Sequence, residues 1–503
     1  MLAGWAVVLT ALSYLCVLFA VAHYGDTRGR RWMAGPARPT IYALALAVFC
    51  TSWTFFGSVG LASRSGLDFL AIYIGPIIVI GLGYGLVGRV VRLAKSQNIT
   101  SIADFVASRY GKSERVAALV SLIAVIGSVP YIALQLKAIA SSLTAMLDAV
   151  EPGSVALAVP VFGDLALFIA LILAAFAAAF GTRHVDATEH QDGLMLAVAM
   201  ESVVKLFAFL AVGIYVVYFT FDGIGDLLAR VAARPDITPL ADRGAGFAAF
   251  IGITALSGFI IVLLPRQFHV TVVENRDAAD VRRAAWTFPL YLVLINLFVV
   301  PLSLAADVLL PPGVDRDMAV VELPLRHGAQ YMALLAFIGG LSAATAMVIV
   351  ESVALAIMVS NDLVMPLLLR RRAMARPAGA GDMGGLILAI RRVAIVGLML
   401  LAYAYYRNMG DAALASIGLI SFAAIAQIAP AFFGGLFWRR ATSAGATAGL
   451  LAGLTVWAVT LFIPTVADPK WLASLSAIGI DWLGIDRIVL GIPGGAPFRF
   501  GLA

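Results

Sequence analysis

The sequence predicts an all-α polytopic membrane protein, and three observations lead there. Of 503 residues, 62% are hydrophobic and only 13% charged, with a mean hydropathy of +0.97. Soluble globular chains are roughly half apolar and a quarter charged. Runs long enough to cross a bilayer, which takes about 20 apolar residues, recur about twelve times. Basic residues divide unevenly between alternate loops, 23 on one side and 10 on the other, with Lys137 and Lys205 inside spans. This is the positive-inside asymmetry, so the net charge of +6 reports topology and argues against a nucleic-acid partner. It places the amino terminus outside.

The runs lie near 4–23, 40–62, 68–92, 116–146, 164–181, 193–220, 246–265, 286–309, 330–366, 386–406, 412–437 and 443–464. The first lacks a basic n-region and a clear cleavage site and is read as a retained helix. Residues 96–116 open with a Thr/Ser cap signal and predict an interfacial helix. Segment 222–234 has helical periodicity and is expected on the outer surface. Residues 370–385 are basic, then Pro/Gly-rich, and read as a cytoplasmic linker. Twelve spans from an outside start leave 466–503 as a non-cytoplasmic tail.

Cysteine chemistry is limited to Cys16 and Cys50, both in apolar runs, so neither a disulfide framework nor a Cys-based metal site is expected. His184, Glu189 and His190 are spaced too widely for the HExxH helix of a zinc protease. No cofactor and no resident metal is expected.

Several strings in order, "LPRQFHVTVVEN" (264–275), "GTRHVDATEH" (181–190), "SAATAMVIV" (342–350), "MVSNDLVMP" (358–366) and "SIGLISFAAIAQIAPAFFGGLFWRRAT" (416–442), resemble the sodium/solute symporter family. More narrowly, they are similar to the transporter-like amino-terminal half of bacterial sensor histidine kinases, whose kinase region is absent from this chain. The resemblance covers about 1–465. It implies a LeuT-like core of two inverted five-helix repeats, about 40–220 and 246–437, with flanking helices. It also implies a bacterial inner-membrane location, and a small solute such as an amino acid or carboxylate moved with sodium or a proton. The alternative is a sensory input domain with an unidentified signalling partner. In neither case is the chain itself expected to be an enzyme.

The physics of such a site agrees with interruptions at matching places. "CTSWTFFGSVG" (50–60) sets Thr51, Ser52, Trp53, Thr54 and Gly57 mid-span, and "GITALSGF" (252–259) does so for Thr254, Ser257 and Gly258. Small residues there also suit plain helix packing. Ser52, Trp53, Thr54, Ser257 and Gly258 are solute-site candidates, joined by Tyr131 and Gln135 on the fourth span, which lines the cavity by resemblance. Lys137 is expected to snorkel outward.

By resemblance, a sodium site would take carbonyls from Ala47, Cys50 and Ala343 and hydroxyls at positions 346 and 347. This chain has Ala346 and Met347 there, which carry no side-chain oxygen, and Phe49 where some relatives carry an acid. Thr345 would serve only in a different register. Glu351, five residues from Ala346, lies about 140° round the helix. Intramembrane carboxylates are costly and point to function by default. Glu351 is therefore read as a proton carrier or as a partner to another helix. Glu201 and Lys205, four residues apart, are expected to form an intramembrane ion pair.

Overall fold

The computed structural model describes residues 3–29, 32, 35–150, 164–181, 191–374, 383–410 and 412–463. Among them every regular element is helical. The sequence expectations for His184, Glu189 and His190, for most of the 370–385 linker and for the 466–503 tail fall outside the described residues.

Helix α1 is Gly4–Thr27. An interrupted span follows, α2 (Arg38–Phe49) and α3 (Trp53–Gly57 running on as Ser58–Ser65). Next come α4 (Ala71–Pro76, Ile77–Leu82 and Tyr84–Ser96), α5 (Ile102–Arg109), α6 (Glu114–Val150) and α7 (Leu165–Gly181). Then come α8 (Asp192–Thr220) and the surface helix α9 (Ile224–Ala232). A second interrupted span joins α10 (Phe247–Leu263) to α11 (Pro265–Val273) at a 54° bend. The rest are α12 (Asp280–Leu309), α13 (Ala319–Arg326), α14 (Gln330–Met358), α15 (Met383–Asn408), α16 (Leu414–Phe437) and α17 (Ser443–Phe462). Among the described residues nine helices are long and apolar enough to span a bilayer, the bent pair makes a tenth, and Arg38–Phe49 and Leu165–Ala179 are shorter apolar helices. The expected interfacial helix is α5, where Ser101 Oγ caps the first turn by accepting from the Asp104 N–H at 3.1 Å.

Burial runs as a membrane requires. Phe219, Phe247 and Trp286 are 77%, 81% and 81% exposed, because lipid replaces water on the outer faces. The centre is α14, packed on α8 and α6, with α16 against α6 and α4 against α10. Small residues permit these contacts. A Cβ on Gly340 would lie 2.1 Å from the Phe56 ring, and one on Gly75 would lie 2.2 Å from Ser257 Oγ and 2.4 Å from the Gly258 nitrogen.

The second interruption differs from the sequence expectation. Thr254, Ser257 and Gly258 stay helical inside α10. Ser257 Oγ donates to the Ala71 carbonyl at 2.8 Å, so Ser257 and Gly258 serve the α4–α10 contact. The chain instead breaks at Leu264, with φ −58° and ψ 130°. Pro265 is the reason: its ring drives the preceding residue out of the α region, and it brings no N–H.

Asp164 starts α7. Its Oδ1 accepts from the Ala166 and Leu167 N–H groups at 3.0 and 3.1 Å. Its Oδ2 accepts from the Tyr403 hydroxyl at 2.5 Å and from Arg407 at 3.3 Å. Burial pushes the carboxyl up, but these donors outweigh it and hold it below the usual carboxylate range. A depressed acid contributes stability above the ordinary carboxyl range and loses it as pH falls through the folded value. Asp164→Ala is expected to cost about 1 kcal/mol, read as a lower Tm whose difference from wild type shrinks toward acidic pH.

Candidate ion and solute site

The first interruption leaves carbonyl lone pairs open to a further donor. Cys50 has ψ 94°, so the ladder stops there: from the backbone Ala47 O accepts only the tight-turn bond from the Cys50 N–H at 3.0 Å, and Cys50 O lies past the last turn. Both are met by one side chain from α8: Lys205 Nζ donates to Ala47 O and to Cys50 O, each at 2.7 Å. Lys205 is 1% exposed. The sequence expectation of a Glu201–Lys205 ion pair is thereby corrected. The ammonium goes to the carbonyls, whereas Glu201 Oε1 accepts from Thr345 Oγ1 at 2.5 Å. The cause is the demand of freed buried carbonyls for a donor, which a loose i,i+4 pairing does not meet.

Thr345 is thus committed to Glu201 and to its own helix, where it also reaches Leu341 O at 2.9 Å. Its neighbour Ser342 donates to the Glu201 carbonyl at 3.0 Å and accepts from Tyr14 at 2.7 Å. Ala343, Ala346 and Met347 are buried on α14 and bring no side-chain oxygen.

On its α6 side the same interruption is satisfied by Gln135 and Tyr131. Gln135 Oε1 accepts from the Ser52 N–H at 3.2 Å and from its hydroxyl at 2.6 Å. The Thr51 and Tyr131 hydroxyls lie 3.0 Å apart. Ser52, Thr51, Tyr131 and Gln135 therefore form one buried group. Trp53 adjoins it, tilted 49° against Tyr73 with 6.2 Å between ring centroids. Its indole N–H has no partner among the described residues. Thr54 is buried on the same short segment. Lys137 points to the α15–α16 connection, where Nζ donates to Ala412 O at 2.6 Å.

At the second interruption stands Glu351, completely buried. Its Oε2 accepts from the Arg266 N–H at 3.1 Å and from Arg266 Nη1 at 3.3 Å, and its Oε1 accepts from Ser128 on α6. One carboxylate thus caps the freed start of α11 and ties it to α6 and α14. Of the two readings of Glu351, this geometry is that of a partner to another helix. Arg266, which the charge count assigned to an inner loop, is also completely buried. Its guanidinium lies 4.4 Å from the centre of the Tyr131 ring. Its Nε and Nη2 have no partner among the described residues.

The two interruptions are joined directly. Gln267 Nε2 donates to Leu46 O at 3.2 Å, and the Tyr42 hydroxyl donates to Thr271 O at 2.8 Å. Arg266 and Gln267 escaped the sequence reading, although the signal was Pro265 beside two long polar residues within an apolar run. Beyond Ser65, Asp317 closes one end of the group. It accepts from Arg64 at 2.7 Å and from the Leu414 N–H at 2.8 Å. A Cβ on Gly60 would sit 1.8 Å from its Oδ1.

No protein-family model matches the chain. It is 23% identical over 431 residues to the uncharacterized symporter YhjB of Bacillus subtilis (strain 168), covering 84% of this chain and 81% of that one. It is 25% identical over 474 residues to the uncharacterized symporter YodF of the same organism, covering 90% and 86%. Among solved structures it resembles a Na+-coupled sialic acid symporter in a substrate-bound outward-open state, with a TM-score of 0.61 at 15% identity over 98% of each chain. The chain is a multi-pass helical membrane protein, and its fold is the LeuT-like fold of that symporter.

Proposed function

We propose that the chain moves a small polar solute bearing a carboxylate, an amino acid or a short organic acid, across a bacterial inner membrane by alternating access driven by an ion gradient. The observation that carries this reading is Arg266. A buried guanidinium whose Nε and Nη2 have no partner among the described residues sits at one helix interruption, against the Tyr131 ring that leans on the other. A planar fork of donors is what a carboxylate pairs with most strongly, and buried polar edges left unpaired are costly. Glu351 already balances part of the charge, so selectivity rests on the hydrogen-bonding fork. The relatives' names support symport. The reading includes the repeat plan 40–220 and 246–437, an outside amino terminus, and a transporter with no enzymatic step.

The experiment is uptake by purified full-length protein in liposomes, with labelled amino acids and short carboxylates under imposed ion gradients. Uptake confined to carboxylate-bearing solutes is expected. Arg266→Lys keeps the charge and removes the fork, and is expected to raise KM about tenfold. Uptake of solutes lacking a carboxylate, unchanged in Arg266→Lys, would overturn the assignment. Binding with no uptake would favour the sensory role that the resemblance to kinase-linked proteins predicts.

A further inference from the structure

The Ala47 and Cys50 carbonyls converge on one point that Lys205 Nζ holds at 2.7 Å from each. Sodium is the cation implied for this point, both by the resemblance and by the coupling of the structural neighbour, so the residues present can be tested against it. They do not fit. The two carbonyls are engaged by an ammonium. Thr345, the hydroxyl adjacent to Ala346 on α14, is turned to Glu201, while Ala346 and Met347 have no side-chain oxygen. A hard cation needs several oxygens at once, and a second positive charge beside the ammonium is repelled in a buried site.

We propose that Lys205 is a built-in cation: its ammonium permanently fills the seat between the Ala47 and Cys50 carbonyls, and the chain binds its solute and cycles without sodium. The side chain comes from α8, while the carbonyls belong to the interrupted span. The contact therefore fixes the broken end of α2 to α8 as a bound ion would, but through a covalent tether that cannot leave. The environment of the ammonium is compatible with this seat. Glu201, one turn earlier on α8, is the acidic side chain of this region, and its Oε1 accepts from Thr345. The other titratable groups facing this region are the Cys50 thiol on the interrupted span, Tyr14 on α1, whose hydroxyl reaches Ser342, and Tyr291 on α12, whose hydroxyl donates to Ser202 O at 2.8 Å. A driving ion, where transport is driven, is then a proton. That last clause rests on the transport reading above, whereas occupation of the seat does not.

Two measurements on the purified full-length chain test it, neither requiring a known solute. Wild type is expected to show no saturable binding of radiolabelled sodium, and the same Tm in sodium chloride as in N-methylglucamine chloride of equal ionic strength. Lys205→Ala removes the tethered charge and takes the ammonium donor from both carbonyls, leaving Ala47 O with only its bond from the Cys50 N–H. It is expected to have a lower Tm that sodium, and not N-methylglucamine, raises. Lys205→Arg keeps a cation and is expected to show no such response. Saturable sodium binding to wild type, or a sodium-dependent rise in wild-type Tm as large as that in Lys205→Ala, overturns the proposal. If Lys205→Ala does not fold, sodium binding to wild type decides alone. If no solute is taken up, the transport reading fails while the sodium result still stands for or against the seat.

Discussion

Replacing Glu351 by Gln is expected to cost roughly 3–5 kcal/mol, the usual penalty for removing one member of a buried pair and stranding the other charge. Glu351 and Arg266 are both completely buried, and the carboxylate also holds the Arg266 N–H and Ser128. Thermal unfolding in detergent should show a large fall in Tm for Glu351→Gln, with uptake lost alongside. Adding Arg266→Gln removes the stranded guanidinium, and much of the stability should return without the uptake. The two readings left open by the sequence part here. A pure proton carrier would lose proton-driven uptake at unchanged Tm, and the double substitution would restore nothing.

The second large effect is expected at Asp317. This carboxylate is 1% exposed and joins Arg64 on α3 to the Leu414 N–H at the start of α16. Removing it leaves the Leu414 N–H buried and unpaired, at about 1–3 kcal/mol, while Arg64 is free to turn to solvent. Asp317→Ala should therefore loosen the end of the bundle above the interruption. Cys50, 1% exposed at the interruption itself, is a natural reporter. In a Cys16→Ser background, its labelling by a water-soluble maleimide should speed up roughly tenfold in Asp317→Ala, as local opening becomes easier. An unchanged rate would mean that this contact does not guard the interruption.

Much of the fold was legible because lipid imposes one rule on every span: apolar outside, backbone paired within. The run boundaries, the cap at Ser101 and the first interruption at 50–52 all follow from local composition. What depends on which faces meet was not legible. Glu201 and Lys205 looked like a pair because i,i+4 spacing is visible in a sequence, whereas the free carbonyls of Ala47 and Cys50 are a property of the folded backbone 155 or more residues away in the chain. Ser257 and Gly258 were read as an interruption because small polar residues serve both interruptions and packing, and only the partner helix α4 distinguishes the two. Arg266 was counted as a loop charge, since position beside a proline says nothing about a carboxylate on α14. Ser52, Tyr131 and Gln135, read from the sequence as solute-site candidates, lie together at the first interruption because buried hydroxyl and amide groups in apolar spans need partners.

The contact at Gly75 has a mechanical consequence. Where α4 meets α10, backbone rests almost on backbone, with Ser257 Oγ locked to the Ala71 carbonyl. Such a seam leaves little side-chain bulk to slide or repack, so the two segments behave as a single stiff lever. Bending is left to the places where helical geometry already lapses: Leu264 at the end of α10, and Gly83, with φ −84° and ψ 11°, partway along α4. Any swing of this lever pulls on α11, and through Gln267 and Tyr42 on α2 as well. One rigid arm with two fulcrums can thus convey displacement at one surface to both interruptions at once.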